Sequence, residues 1–308
     1  MRVLLLSKND LDVIINFDEI QIEGVQINQD YLFRNDMPQM FVRVLRRMGY
    51  NMTSLTLGKW KQERKYDAII VFESTVTENA LEYISKKYVT SKKILCFRNA
   101  VSDINKKYIN IARNLGYRIF TYNLLDSAEY DLEYNPQCWN RRLINGKNNI
   151  NIEQDLYFLG RAKKRYEKII DLKEKAEKQG LSTKFYIISN QGEKYTQNKG
   201  ISYTECIKDI LESRAIVDIV GNGNVGLTIR PLEALFCEKK LVTNYSDIYK
   251  YDFYEANKKN IFILGKDNIE NLKEFVRTPF VKSEFDMDTY DIVAWIKRFL
   301  EKADKNEA

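Results

Sequence analysis

"AIVDIVGNGNVGLTIRPLEALFCEKKLVTN", residues 215–244, decides how this chain reads. Residues 215–221 are an apolar run of strand length, and Gly221, Gly223 and Gly226 follow in close order. A helix opens at Pro231, and "KLVTN" (240–244) is again a strand. Strand, loop, helix and strand in such quick succession form a parallel crossover unit. The glycines let the backbone turn tightly and approach a ligand. Proline suits the first turn of a helix, whose free N–H groups face an anion.

The same alternation runs outward in both directions. Towards the N-terminus, "RVLLLS" (2–7), "DAIIVFES" (67–74), "KILCFRNA" (93–100) and "YRIFTYN" (117–123) read as strands. Helical patterns over 37–50, 77–88 and 103–116 accompany them, with Met40, Val44 and Met48 on one face of the first. The polar stretch "NRRLINGKNNINIEQ" (140–154) is the linker candidate. A second series follows: strand 155–160, helix 161–179, strand 183–189, helix 203–213, the opening unit, strand 260–265 and helix 268–277. Ile292, Trp295, Ile296 and Phe299 share one face of a last helix over 290–303. Two α/β domains with parallel sheets are expected, residues 1–150 and 151–287.

Composition excludes several chemistries. Histidine is absent, which removes imidazole bases, Ser-His and Cys-His nucleophiles and histidine metal sites. Cys96, Cys138, Cys206 and Cys237 lie far apart, so no zinc ribbon or redox pair is expected. No run reaches the ~18 apolar residues of a membrane span. The start, "MRVLLLSKND", is too short in apolar residues for a secretory signal, which leads to a cytoplasmic expectation. The net charge of +6 suits phosphate-bearing ligands or an anionic membrane surface. No nucleic-acid-binding pattern accompanies it, so no nucleic-acid partner is expected.

Ligands of open α/β sheets collect beyond the carboxyl ends of the strands. In the second domain that directs attention to Gly160, Arg161 and Lys164, to Ser189 and Asn190, and to Gly226, Leu227, Thr228, Arg230 and Glu233. Arg230, Arg161 and Lys164 are the cations for a diphosphate, and Glu233 has the chemistry to hold two vicinal ribose hydroxyls. A plain strand-to-helix turn and a first-turn glutamate favoured by the helix dipole account for the same residues without a ligand.

The segment "GLTIRPLEALFCEKKLVTN", preceded by "YTECIKDILESRAIVDIV", resembles the donor-binding half of GT-B glycosyltransferases, and most of all bacterial enzymes of capsular, exopolysaccharide or lipopolysaccharide synthesis. "DLYFLGRAKKRYEKI" is similar to the start of that domain, and "YDAIIVFES", "CFRNA" and "YNLLDSAEYDLEYNPQCW" are similar to stretches of the first. The resemblance implies two Rossmann-like domains facing across a cleft. A C-terminal helix (288–304), anchored by Trp295, would cross back to the first domain. It implies transfer from a nucleotide-diphosphate sugar, a UDP-sugar first, to a glycan or lipid-linked acceptor; the basic, tyrosine-rich first half suits peripheral contact with an anionic membrane, where lipid-linked acceptors reside. No metal or other cofactor is expected, since GT-B enzymes stabilise the leaving diphosphate with amides and cations. One departure stands out: where many retaining members have a first glutamate eight residues before Glu233, this chain has Val225.

For inverting transfer the base must be a carboxylate. Glu73, at the end of "AIIVFE", comes first, followed by Asp10 and Asp12; retaining transfer dispenses with a dedicated base. Arg98, Asn99 and Asn123 are candidate acceptor-side contacts, and Tyr134 and Trp139 candidate sugar-stacking rings. "DMD" (286–288) reads as a helix cap rather than a metal motif. Rival readings are a non-catalytic partner of the same fold and a nucleotide-sugar epimerase, the latter disfavoured because its family implies a histidine. A dehydrogenase lacks its glycine fingerprint after the first strand.

Overall fold

The computed structural model describes residues 1–7, 16–17, 20–34, 40, 44, 56–63, 65–147, 150–221 and 226–301. The chain divides into two compact units, one of residues 1–137 with 293–308, the other of residues 138–292.

Unit 1 contains β1 (Arg2–Ser7), β2 (Gln26–Tyr31), β3 (Ala68–Phe72), α1 (Glu78–Lys87), β4 (Lys92–Phe97), α2 (Lys107–Asn114), β5 (Arg118–Thr121), α3 (Leu124–Tyr130) and β6 (Glu133–Tyr134). The strands are all parallel, in the order β2-β1-β3-β4-β5-β6. The apolar runs of β1 and β3 are buried on both faces, as central parallel strands require. Thr77 caps α1 by accepting from the Ala80 N–H.

Three local features depart from the sequence reading. β2 was not expected, because "QINQDY" is a polar, half-exposed edge strand with no apolar run to reveal it. Met40 and Val44 are helical but 79% and 47% exposed; Met48 lies outside the described residues. The polar stretch at 140–147 is folded into unit 2, where Arg142 pairs with Asp291 and Arg141 with Asp288.

Unit 2 runs β7 (Gln154–Arg161), α4 (Tyr166–Lys178), β8 (Thr183–Ile188), β9 (Thr196–Gln197), α5 (Tyr203–Leu211), β10 (Ser213–Asp218), α6 (Arg230–Phe236), β11 (Lys240–Thr243), α7 (Tyr254–Asn257), β12 (Ile261–Ile263) and α8 (Leu272–Arg277). Its sheet is also parallel throughout, in the order β12-β11-β10-β7-β8-β9. The chain works outward from β7 to one edge, returns, and works outward from β10 to the other. The strand order therefore reverses between β7 and β10, where a doubly wound sheet opens a crevice at its carboxyl edge. In unit 1 the equivalent reversal lies between β1 and β3.

The last helix, α9 (Ile292–Leu300), belongs to unit 1 from Val293 onward. Trp295 stacks on Phe72 with ring centroids 6.4 Å apart, and Phe299 meets Phe120 edge-on at 4.8 Å. The final carbonyls of the helix are taken by cations, as its negative end favours: Lys92 donates to Leu300 O, and Arg118 to Phe299 O and Glu301 O. Among the described residues no helix is long and apolar enough to cross a membrane.

Candidate functional site

The reversal point of the unit 2 sheet is built from the turns that leave β7 and β10. After β7 the chain passes Arg161 and the buried Ala162 into a short 3-10 turn, Lys163–Arg165. Lys163 there adopts φ 44°, a left-handed conformation that a non-glycine residue reaches only under local constraint. That turn is why helix α4 begins at Tyr166 and not, as the periodicity predicts, at 161.

Arg165 returns across the turn. Its Nε donates to Arg161 O at 3.0 Å, and its Nη1 donates to Ile219 O just beyond β10, so one guanidinium ties the two turns together. Gly160 leaves the room for it: a Cβ at that position would stand 2.8 Å from Arg165 Nη2 and 3.0 Å from Phe158 Cζ. Gly160 thus answers to a neighbouring side chain. Gly221 differs, because a Cβ there would meet nothing within 4 Å, and its backbone is not left-handed. Among the described residues nothing fills the space above Gly221.

Beneath these turns lies a charged cluster. Asp218 ends β10 and is buried between Arg165 and Arg230, with hydrogen bonds from the Thr228 and Thr243 hydroxyls. Burial pushes its carboxyl up to about 6, against the opposing pull of Thr228 and the two arginines. Burial likewise lowers Arg165. Asn244, beyond β11, holds the backbone after β10 at both ends: Val220 N–H donates to its Oδ1 at 2.6 Å, and its Nδ2 donates to Val220 O at 3.1 Å. A cavity of about 630 Å³ opens beside this clamp, with Lys168, Leu172, Ile219, Leu264 and Gly265 among its walls. That volume lies within the usual range for small-molecule sites.

Arg230 and Glu233, one turn apart on α6, form an ion pair. Arg230 Nη2 also donates to Leu159 O at 3.1 Å, and its backbone N–H donates to Thr228 Oγ1 at 3.3 Å. Burial, the largest influence, pulls the guanidinium down, but Glu233 together with Cys206, Tyr157 and Tyr203 outweighs it, and Arg230 ends above its ordinary range. Glu233 is 0% exposed; one carboxylate oxygen takes Arg230 and the other takes the Tyr203 hydroxyl at 2.7 Å. The residue expected to hold ribose hydroxyls thus has both oxygens engaged within the protein. Position 233 faces inward between Leu232 and Ala234, and a buried acid needs fixed partners of its own.

The other expected donor residues divide by exposure. Arg161, Lys164 and Asn190 are exposed and Ser189 is half-buried at the end of β8, where its Oγ accepts from Gln191 N–H at 3.2 Å. Leu227 and Gly226, both expected among the donor contacts, are buried, Leu227 fully. Gly223 lies outside the described residues. Trp139 is 0% exposed: it packs on Phe236 at 5.2 Å and donates from its indole to Tyr203, so it is no sugar platform. Asp286 accepts from Asp288 N–H as the cap of a 3-10 turn, and Asp288 pairs with Arg141. No group of three or more Cys, Asp or Glu among the described residues is placed to hold a metal ion.

In unit 1 the structure brings Glu73, Arg98 and Asn99 together at the carboxyl edge of β3 and β4. Glu73 is 3% exposed; it accepts from Arg98 N–H at 2.9 Å and from Asn99 Nδ2 at 2.6 Å. Both oxygens of this first candidate base are thus engaged in tying two strand ends. Asn123 is buried as the cap of α3, accepting from Leu125 N–H at 3.1 Å, and is not an open acceptor contact. Asp10 and Asp12 lie outside the described residues.

Sequence reasoning missed Arg165, Asp218 and Tyr203. Asp218 carried a signal, a lone acid inside the apolar run "AIVDIV", whereas Arg165 has nothing that sets it apart from its neighbours in "RAKKR".

No family model and no curated protein matches this chain. Solved structures do. An alpha-glucosyltransferase in complex with UDP and a 13-mer DNA superposes with a TM-score of 0.53 at 12% identity, covering 97% of this chain and 90% of that one. A UDP-GlcNAc 2-epimerase from Methanocaldococcus jannaschii gives 0.48 at 13% identity, over 97% and 99%. The glycotransferase of kitacinnamycin gives 0.45 at 11% identity, over 97% and 94%. At such identities the first of these speaks for the fold alone. The chain has a GT-B-type fold, with two Rossmann-like units each built on a six-stranded parallel sheet.

Proposed function

We propose that this protein is a glycosyltransferase that takes a sugar from a nucleotide-diphosphate donor, a UDP-sugar, and passes it to a glycan or lipid-linked acceptor. The carrying observation is the reversal point of the unit 2 sheet, where Arg165 bridges the turns after β7 and β10 and Arg230 stands at the end of β7. Two half-buried guanidiniums beside the backbone of Gly221 suit a diphosphate: they supply fixed positive charge where the leaving group gains negative charge. Exposed Arg161 and Lys164 extend that field outward. Glu233 serves the site from beneath by holding Arg230.

In this reading no metal takes part in the transfer, and Arg98 and Asn99, tethered by Glu73, meet the acceptor. The enzyme works in the cytoplasm, at the inner face of the membrane, in bacterial surface polysaccharide synthesis. The solved alpha-glucosyltransferase was crystallised with UDP and DNA; for this chain we propose the nucleotide and not the DNA. The test is UDP release from UDP-glucose, UDP-galactose and UDP-GlcNAc, with and without a membrane lipid extract and EDTA. Chelator-insensitive release that rises with the extract supports the reading. No release from any donor favours a non-catalytic partner of the same fold.

A further inference from the structure

Four side chains of unit 2 form one continuous file, with Trp139 and Glu233 fully buried and Tyr203 and Arg230 half-buried. Trp139 Nε1–H donates to the Tyr203 hydroxyl at 2.8 Å, Tyr203 donates to Glu233 Oε1 at 2.7 Å, Arg230 donates to Glu233 Oε2, and Arg230 Nη2 donates to Leu159 O at 3.1 Å. The direction of each bond is fixed by chemistry. Indole N–H is a donor only and an ionised carboxylate an acceptor only, so the single phenol proton must point at Glu233. The two carboxylate oxygens therefore have different tasks, and the plane of the group is set from both sides. Burial and the neighbouring Glu233 charge raise Tyr203 above the ordinary phenol range, which keeps that proton in place.

Apolar packing alone does not ask for this arrangement. Glu233 and Arg230 are costly to bury, and hydrophobic residues of similar size fill such space without the desolvation penalty. The file ends at Leu159 O, one residue before Gly160, on the strand that leads into the Arg165 turn.

We infer that Tyr203, backed by Trp139, is a positioning residue of the nucleotide site: it orients the Glu233 carboxylate so that Arg230 holds its guanidinium at the end of β7 for the diphosphate. The inference rests on the donor site proposed above. Tyr203 touches no ligand; it acts through Glu233 and Arg230.

The experiment is a calorimetric titration of the full chain with UDP and, by competition, with uridine, in wild type and Tyr203→Phe. Loss of a hydrogen bond to a charged group predicts a UDP affinity ~10-fold or more lower. Uridine, which lacks the diphosphate, keeps its affinity. In an Arg230→Ala background Tyr203→Phe changes UDP affinity no further, because the residue acts through that guanidinium. Should Tyr203→Phe fail to fold, Trp139→Phe removes the indole donor and predicts a smaller, equally diphosphate-selective loss. Unchanged UDP affinity, an equal loss for uridine, or a full effect without Arg230 overturns the positioning role. Wild type that binds no UDP overturns the donor site and this inference with it, so the two failures are distinct.

Discussion

Gly160→Ala separates the function of the site from the stability of the fold. The new Cβ stands 2.8 Å from Arg165 Nη2 and 3.0 Å from Phe158 Cζ. Ordinary van der Waals contact begins near ~3.5 Å, so the guanidinium must retreat by roughly 0.7 Å. It sits at the far end of a flexible side chain and can do so cheaply. Overpacking costs about 1–3 kcal/mol where the surroundings are stiff and less where they yield. The lost flexibility of the unfolded glycine returns about 0.4–1 kcal/mol. The balance lies near ~1 kcal/mol, a shift of only about 2–4 °C in Tm for a chain of this size. The site feels the change more. Retreat of Arg165 breaks its bond to Ile219 O and removes a fixed charge from the proposed diphosphate, worth about 1.5–3 kcal/mol, or roughly 10–100-fold in UDP affinity. Differential scanning calorimetry and UDP titration measure the two sides. In an Arg165→Ala background Gly160→Ala should cost nothing further. Unchanged UDP affinity, or an equal loss in that background, would refute the reasoning.

Asp218 makes stability depend on pH. Its folded value of about 6 exceeds the unfolded value of 3.8, so between these the folded state holds the proton more tightly and stability falls as pH rises, by about 3 kcal/mol in all. Relative to Asp218→Asn, wild type should lose about 2.4 kcal/mol of it in denaturant titrations from pH 4 to pH 7; parallel profiles would show that the carboxyl does not titrate in this window. Glu73→Gln tests the tether assigned to that residue. Donor binding should be unchanged and transfer reduced only severalfold, whereas complete loss of transfer would return Glu73 to the role of base.

The fold was legible because its central strands are buried on both faces and so appear as unbroken apolar runs, "RVLLLS" and "AIIVF" among them. Thr77 and Pro231 marked helix starts for the same local reasons that place them there. β2 escaped because an edge strand exposes half its residues and needs no such run. The sequence directs attention to strand ends, which strands position, but it does not encode the contacts made there. Trp139 meets Tyr203 across 64 positions of sequence, and Tyr203 meets Glu233 across 30, pairings that no local pattern encodes. Charge alone does not reveal that Arg165 bridges two turns or that Glu233 pairs inward with Arg230 and Tyr203.

The central claim is that the turns after β7 and β10 bind a nucleoside diphosphate, and calorimetric titration of the full chain with UDP, GDP, TDP and CMP, with and without EDTA, tests it most directly. The account predicts saturable UDP binding that is insensitive to the chelator and at least ~10-fold weaker in Arg165→Ala. No binding to any of the four, or UDP binding that Arg165→Ala leaves intact, would contradict it.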